Sequence, residues 1–182
     1  MLDIFCLAIF TVTTLEPSKK PVDKYVFWGN LAKGQMVKTF TNYGLEYEVI
    51  ASFKLKPIIS LLGWLNMIHV SKGGNKAEIG DRLPCIFLDD EGWWFGTGIN
   101  DDPNHNFRVL HEMTDYFINI SQRKIDNDYV YKIVINGETK FELVNSNPQS
   151  IDKIYVYLSD EWYNTFTSDD VILHYIKIYQ WA

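Results

Sequence analysis

The stretch Leu45-Glu46-Tyr47-Glu48-Val49-Ile50-Ala51-Ser52-Phe53-Lys54-Leu55-Lys56 alternates between two kinds of side chain. Every odd position is apolar or aromatic, and most even positions are charged. Successive side chains of a β-strand point to opposite faces, so the odd positions from Leu45 to Leu55 are predicted to face a core and the charges to face solvent. A strand with one solvated face is typical of an antiparallel sheet. Pro57, which cannot donate a ladder hydrogen bond, is predicted to end the strand.

The dipeptide Asn136-Gly137 joins two more alternating segments, residues 129–135 and 138–143. Both residues tolerate positive φ, which a type I′ turn requires at its two central positions, so this region is predicted to be a β-hairpin. Polar turn clusters separate the other predicted strands, and no segment shows a convincing amphipathic helix pattern. These further strands cover residues 63–70, 84–88, 93–98, 106–110, 116–123, 153–158 and 171–181. The fold is therefore predicted to be all-β, a two-sheet antiparallel sandwich of the jelly-roll type.

Length and composition fit one domain with many strands. The 182 residues suffice for a single core, and the aromatic content of 15% favours pleated, half-buried surfaces. We predict that residues 21–182 form the sandwich and that residues 1–20 are a separate apolar segment. The run Ile4–Val12 is either an extra strand or a signal-like leader, and it is too short to span a bilayer. A net charge of −6, with no basic stripe, argues against nucleic acid or anionic membranes as partners.

The glycine-rich stretch between residues 73 and 88 raises the question of a phosphate loop. Gly74 and Gly80 have the wrong surroundings for one, because the lysine and the following helix are missing. We interpret the glycines as two turns between strands, with Arg82 offering donors that could hold carboxylates or loop carbonyls.

Motifs for catalysis are weak. No G-x-S-x-G or Cys-His-Asn context is present, and the histidines have no zinc-ligand spacing. His69 and His174 lie in apolar strands and are interpreted as hydrogen-bonded strand residues. The pair Glu46 and Glu48 lies on one strand face but does not form the E-x-D-x-x-E pattern of glucanases, so a carbohydrate-active enzyme is kept only as an alternative.

Aromatic residues supply the main candidates for binding. Alternation forces Trp94 onto the face opposite Trp93 and Phe95, which leaves a large ring facing outward. Tyr155 and Tyr157 alternate with an aliphatic set in the same way. So do Tyr175, Tyr179 and Trp181, which alternate with Ile172, Ile176 and Ile178. Outward tyrosine and tryptophan on several strands indicate either a bound small molecule or a subunit interface, including a homo-oligomer.

Several blocks, in this order and spacing, resemble the laminin-G-like, concanavalin A-like jelly-roll modules of extracellular invertebrate proteins. The resemblance runs from about residue 27 to residue 179. Its blocks are GLEYEVIASFKLKP (44–57), GWLNMIHV (63–70), GGN (73–75), GDRLPCIFL (80–88), YKIVINGE (131–138) and IYVYLSDEWYNT (154–165). The resemblance implies a secreted, two-sheet sandwich that is mostly noncatalytic and is used for adhesion, glycan recognition or matrix assembly.

The resemblance also implies a possible calcium ion at the rim of the sandwich, held by acidic side chains of loops. The candidate calcium ligands are Asp81, Asp101, Asp102 and Asp160, although no D-x-[DN]-x-[DN]-G loop is present. The turn of residues 101–105 is alternatively a solvated hairpin turn. The candidate ligand-binding residues are Trp93, Trp94, Asn100, Asp101, Asp102, His105, Trp162 and Tyr163.

The two cysteines, Cys6 and Cys85, leave two alternatives open. A disulfide between them would stabilise the fold by about 4 kcal/mol through loop closure in an oxidising compartment. Alternatively, both are small buried thiols. Together, these observations predict a secreted noncatalytic module that recognises a glycan, a small aromatic ligand or a protein, with a self-associating matrix component as the alternative.

Overall fold

The structure, a computed structural model, describes residues 20–29, 32–43, 45–55, 64–76, 78–110, 114–163 and 171–181. The predicted N-terminal segment, residues 1–20, lies outside the described residues except for Lys20. Within the described part of the chain there is no helix with the length and apolarity that a membrane span requires.

Twelve strands make up the described chain. They are β1 (Asp23–Phe27), β2 (Met36–Tyr43), β3 (Glu46–Leu55), β4 (Leu65–Ser71), β5 (Cys85–Leu88), β6 (Gly92–Ile99), β7 (Asp102–Leu110), β8 (Asp115–Ile125), β9 (Asp128–Ile135), β10 (Glu138–Asn145), β11 (Ile151–Tyr157) and β12 (Val171–Trp181).

The strands form two six-stranded sheets that pack face to face. The first sheet has the order β1-β12-β3-β8-β9-β10, and the second has the order β2-β11-β4-β5-β6-β7. Every neighbouring pair is antiparallel. The prediction of an all-β, two-sheet antiparallel sandwich is therefore confirmed.

The core lies between the inner faces of the two sheets, and β3 contributes as its alternation predicts. Tyr47, Val49, Ala51, Phe53 and Leu55 are all buried in the core. The opposite sheet supplies inward side chains such as those of β11, where Ile154 and Val156 are fully buried while Tyr155 and Tyr157 lie on the outer face and are half-buried. Burial of this apolar surface is the main term that stabilises the sandwich.

The hairpin at Asn136-Gly137 is also confirmed. Asn136 has φ of 51° and Gly137 has φ of 83°, and Glu138 pairs with Ile135 directly across the turn. Two positive φ values in succession give the type I′ turn, whose twist matches that of the flanking strands.

Two strands of the structure were not predicted from the sequence. β1 is a short edge strand on β12, and β2 contains Thr39, Thr41 and Asn42, which weaken its alternation. Both strands are held by hydrogen bonds to distant partners, β12 and β11, which their own sequences do not reveal.

One predicted face was wrong within β12. The register shifts between Leu173 and Tyr175, where a bulge places one extra residue in the strand. Because a shift of one residue moves every later side chain to the other face, Ile172 lies on the outer face while Ile176 and Ile178 are buried in the core.

Cys85 is a free and buried thiol in this structure, on the outer face of β5 opposite His69. A buried thiol is one of the two alternatives that the sequence leaves open for Cys85. Cys6 lies outside the described residues.

Candidate functional site

Alternation along β6 separates two neighbouring tryptophans. Trp93 is completely buried, with its ring centroid 5.4 Å from that of Phe53 and 5.0 Å from that of Tyr116. Trp94 is half-buried on the opposite, outer face of the second sheet, as the alternation predicted. The prediction that Trp93 binds a ligand is corrected here, because its side chain fills the core and presents no surface to one.

Four aromatic side chains meet on this outer face, and we call them the aromatic cluster: Trp64, Phe87, Trp94 and Tyr163. Phe87 lies directly across from Trp94 in the β5–β6 ladder, with ring centroids 5.0 Å apart. Trp64 meets Trp94 edge-to-face at 5.3 Å, and Tyr163 meets Phe87 edge-to-face at 4.6 Å. Edge-to-face contact is a preferred arrangement of aromatic rings. Phe87 is 1% exposed and Trp64 is 40% exposed, so Phe87 forms the base of the cluster and Trp64 its outer wall.

Gly96 determines how Trp94 lies on the sheet. The two residues share the outer face of β6, and a Cβ at position 96 would lie 2.6 Å from Cζ3 of the Trp94 ring. The ring therefore rests on bare backbone, which no residue with a side chain could provide at this position.

Arg82 comes from the loop between β4 and β5. The loop turns at Gly73 (φ 118°) and at Gly80 (φ 89°), so the interpretation of these glycines as turn residues is confirmed. The Arg82 carbonyl accepts a 2.8 Å hydrogen bond from the backbone N–H of Gly98 on β6, which fixes the loop against the sheet. Its guanidinium carbon lies 5.3 Å from the Trp94 ring centroid, and Nη1 donates to Oδ1 of Asn104 on β7.

These residues border a cavity of about 310 Å³ that is open to solvent. It is lined by Trp64, Arg82, Phe87, Trp94, Asn104, Asn106 and Tyr163. Its walls are aromatic, while the guanidinium and two amide side chains supply hydrogen-bonding groups at one side. Small-ligand sites ordinarily combine apolar surface of this kind with convergent polar groups that fix the orientation of the ligand.

The second arginine of this face differs from Arg82 in its charge environment. Arg108 lies 5.9 Å from the Trp64 ring centroid, and its guanidinium forms salt bridges with Asp89 and Glu91. Arg82 is 8% exposed and forms no salt bridge with any described residue, and its buried Nε has no hydrogen-bond partner in that part of the chain. One guanidinium beside the cluster is thus neutralised and the other is not.

His69 lies next to Phe87, with ring centroids 6.4 Å apart, and connects three segments. Its side chain is completely buried, Nδ1 lies 2.6 Å from Oδ2 of Asp160, and Nε2 lies 2.6 Å from the carbonyl oxygen of Asp81. The interpretation of His69 as a hydrogen-bonded strand residue is confirmed. An ionised carboxylate and a carbonyl oxygen can only accept, so both ring nitrogens must donate and the ring is an imidazolium. Burial acts to lower the pKa of His69, but neighbouring Cys85 and the bonded Asp160 outweigh it and raise the pKa to about 10.

Asp160 links this ion pair to the segment that follows β11. Its Oδ1 accepts hydrogen bonds from the backbone N–H groups of Trp162 and Tyr163, each at 3.0 Å. The Tyr163 hydroxyl donates to Oδ1 of Asn75 at 3.1 Å, which places the Tyr163 ring over Phe87. Trp162 packs on the His69 ring instead, with centroids 5.4 Å apart. Asp160 therefore positions both aromatic residues that follow it.

The acidic turn between β6 and β7 lies elsewhere, at the rim of the sandwich. The Asn100 backbone N–H donates to Oδ1 of Asn145, and the Asn147 side chain donates to Oδ1 of Asp101 at 2.6 Å. Asp102 accepts from the backbone N–H of Asn104 at 2.9 Å. The His105 ring faces the other sheet, 5.5 Å from the Phe141 ring.

Besides Trp93, the predicted ligand residues that do not line the cavity are Asn100, Asp101, Asp102, His105 and Trp162. The structure brings Trp94 and Tyr163 to the cavity. It leaves Asn100 bound to Asn145 at the end of β10, and Asp101 bound to Asn147 in the loop that follows.

The candidate calcium ligands do not converge. Among the described residues, no group of three or more histidine, cysteine, aspartate or glutamate side chains is placed to hold a metal ion. Oδ2 of Asp81 accepts hydrogen bonds from the backbone N–H groups of Lys76 and Glu78, and Asp160 is bound to His69. These two carboxylates are completely or almost completely buried and hold loops in place. The four carboxylates predicted to bind calcium, Asp81, Asp101, Asp102 and Asp160, therefore do not come together in one site.

Sequence reasoning missed Trp64, Phe87, Asn104 and Asn106 as site residues, and it treated Arg82 only as a loop clamp. Phe87 lies in the apolar run Ile86-Phe87-Leu88, where no local signal separates core from outer face. The pairing of Phe87 with Trp94, and of Trp94 with Arg108, becomes visible only with the strand register. The alternation of Asn104, Asn106 and Arg108 along β7 is the one signal that could have placed the two amides on the outer face.

Comparison with solved structures finds the same architecture in bacterial toxins. The receptor-binding domain of botulinum neurotoxin D matches with a TM-score of 0.56 and 11% identity, covering 87% of this chain and 44% of that one. The serotype D ligand-binding domain in complex with N-acetylneuraminic acid matches with a TM-score of 0.53 and 9% identity, covering 87% and 43%. A further structure of the serotype D binding domain has a TM-score of 0.51 and 12% identity, covering 89% and 38%.

The chain thus spans less than half the length of each of these structures. At this identity the likeness shows the β-sandwich fold, as the family resemblance implied, but it does not single out a laminin-G-like module among sandwiches. No protein-family model matches the chain, and no protein of curated function does so either.

Proposed function

We propose that this protein is a noncatalytic binding module that recognises a sugar in the cavity beside the aromatic cluster. The observation that carries the proposal is the combination of Trp64 and Trp94 walls with the Arg82, Asn104 and Asn106 side chains. Sugar rings have an apolar face that stacks on aromatic rings and hydroxyl groups that need hydrogen-bond donors and acceptors. The cavity offers both kinds of contact.

The amide groups suit this role. Asn106 is exposed, and its side chain makes no hydrogen bond to another described residue, so its donor and acceptor remain available to hydroxyl groups. Asn104 uses its Oδ1 for Arg82 and keeps its amide N–H groups for a ligand.

The lining chemistry supports binding rather than turnover. The described residues that line the cavity include no carboxylate, histidine or cysteine. Hydrolysis of a glycosidic bond ordinarily requires a pair of carboxylates on either side of the bond. Solved structures of similar fold include the serotype D ligand-binding domain in complex with N-acetylneuraminic acid, which supports a binding role for this sandwich.

Glycan-array binding of the wild type and Trp94→Ala tests the proposal. We expect the wild type to bind a defined set of glycans and Trp94→Ala to lose about ten-fold or more in affinity, because the main stacking surface is removed. Trp28→Ala is the matched control, since Trp28 is 66% exposed just after β1 in the other sheet. Equal glycan binding by wild type and Trp94→Ala, or no glycan binding at all, would contradict the proposal. Dimer formation in sizing without any glycan would favour the self-associating alternative.

A further inference from the structure

The charge of Arg82 is not balanced within the described chain. The side chain is 8% exposed, forms no salt bridge with a described residue, and donates from Nη1 only to the neutral amide oxygen of Asn104. Its buried Nε lacks any hydrogen-bond partner in that same part of the chain. Buried charges in proteins are ordinarily paired, because removal from water is costly unless an opposite charge compensates. An unpaired guanidinium at a cavity wall therefore points to an anion supplied from outside.

Arg108 provides an internal comparison on the same sheet face. It approaches the Trp64 ring much as Arg82 approaches the Trp94 ring, at 5.9 Å and 5.3 Å from the centroids. Arg108 nevertheless has its own carboxylates in Asp89 and Glu91. Among the described residues, this sheet face thus carries one arginine with carboxylate partners, Arg108, and one without, Arg82.

We propose that the sugar bound in this cavity carries a carboxylate, and that Arg82 pairs with it while the ring stacks on Trp94. This rests on the proposed function and names its substrate class. The guanidinium is a planar fork of donors whose spacing matches the two oxygens of a carboxylate. Arg82 lies over the Trp94 ring, so an acid group bound to it holds the attached sugar ring against the same aromatic cluster.

The overall charge of the protein makes this pairing specific. The net charge of −6 repels anions at long range, so attraction of an acidic sugar has to come from a local contact rather than from a general positive field. Affinity for the acidic sugar is accordingly expected to depend on a single guanidinium.

Calorimetric titration of matched sugar pairs tests the inference. The first pair is methyl glucuronide and methyl glucoside, which differ in the carboxylate alone, and the second is N-acetylneuraminic acid and its methyl ester. We expect the acid of at least one pair to bind about ten- to hundred-fold more tightly than its neutral partner, the range of a charge-assisted hydrogen bond. The pair with the larger ratio identifies whether a hexuronic or a nonulosonic acid is preferred. Equal affinity within both pairs overturns the inference.

Variants assign the preference to Arg82. Arg82→Gln should reduce the ratio of acid to neutral affinity to about one, because the acid loses a charge-assisted contact that the neutral sugar never makes. Arg123→Gln removes the same charge from the other sheet, where Arg123 lies over Trp181, and should leave the ratio unchanged. A ratio that survives in Arg82→Gln overturns the inference.

Asn104→Asp keeps the test decisive if Arg82→Gln fails to fold. The new carboxylate has nearly the shape of the amide and supplies Arg82 with an internal partner, so the preference for the acid should disappear or reverse. An unchanged preference in Asn104→Asp contradicts the inference. Failure of the inference is distinct from failure of the proposed function, because neutral glycans would still bind in a Trp94-dependent manner in the first case and not in the second.

Discussion

Both ring nitrogens of His69 face acceptors, and this single residue makes the stability of the protein depend on pH. Its side chain is completely buried between Oδ2 of Asp160 and the Asp81 carbonyl. Near neutral pH the imidazolium and the carboxylate form a buried ion pair. Loss of either partner strongly destabilises the folded protein, because the other charge is then buried without compensation.

The free energy of unfolding is expected to fall as the pH rises from about 6.5 to about 10. The pKa of His69 is raised from 6.5 to about 10 in the folded state, so its contribution to stability is complete below pH 6.5 and is lost as the pH approaches 10. Urea denaturation across this pH range measures the fall. His69→Gln should remove this component and cost about 3 kcal/mol at pH 6. His105→Gln is the control and should retain the fall; a pH-independent wild type would contradict the prediction.

At the scale of the strand, β6 shows how much of the site a short pattern can determine. Alternation alone assigned Trp93 and Trp94 to opposite faces, and the structure confirms that assignment. Alternation did not say which face was the core, so Trp93 was included among ligand residues. The strands β5 and β7 on either side of β6 settle the matter, because Phe87 and Arg108 flank Trp94 on the outer face.

Gly96→Ala in β6 should reduce sugar affinity by disturbing the cavity wall. The new methyl group would lie 2.6 Å and 2.7 Å from two atoms of the Trp94 ring and 3.1 Å from Cδ of Arg82, so both side chains must move. We expect about a ten-fold loss of affinity, measured by calorimetry, with a shift in tryptophan emission. Gly98→Ala in the same strand is the matched control, since its nearest neighbour would lie at 3.6 Å. Equal affinity of the two variants would argue against Trp94 as a wall of the site.

The bulge in β12 shows what alternation within a single strand does not predict. The aliphatic set Ile172, Ile176 and Ile178 was predicted to share one face, but the extra residue between Leu173 and Tyr175 turns Ile172 outward. A bulge arises where two strands fail to pair residue for residue, so it depends on the partner strand β3 as much as on β12 itself.

At the scale of the whole molecule, the site depends on contacts between segments that are far apart in the sequence. Asp160 follows β11, His69 lies in β4, and Asp81 lies in the loop before β5, yet a 2.6 Å hydrogen bond joins His69 to each of the other two. The same aspartate holds the backbone of Trp162 and Tyr163. The ion pair thus fixes the segment that carries one wall of the cavity.

Two substitutions at Asp160 should separate these roles. Asp160→Asn keeps an oxygen for the N–H groups of Trp162 and Tyr163 but removes the charge beside His69, so we expect near-normal sugar affinity and a weaker fall of stability above pH 6.5. Asp160→Ala removes both contacts and should lower the affinity as well as the stability. Affinity from calorimetry and stability from urea denaturation are measured on both variants. Loss of affinity in Asp160→Asn equal to that in Asp160→Ala would contradict this separation.

The sequence by itself determined the local conformations of this protein. The alternation of Leu45–Leu55, the Asn136-Gly137 turn and the glycines at 73 and 80 depend on steric preferences of neighbouring residues, which act wherever the chain is placed. Tertiary structure decided the site, because Trp64, Arg82, Trp94, Asn104 and Tyr163 come from separate loops and strands. Their convergence depends on strand register and on the buried His69–Asp160 pair, and both are set by long-range pairing that no local pattern encodes.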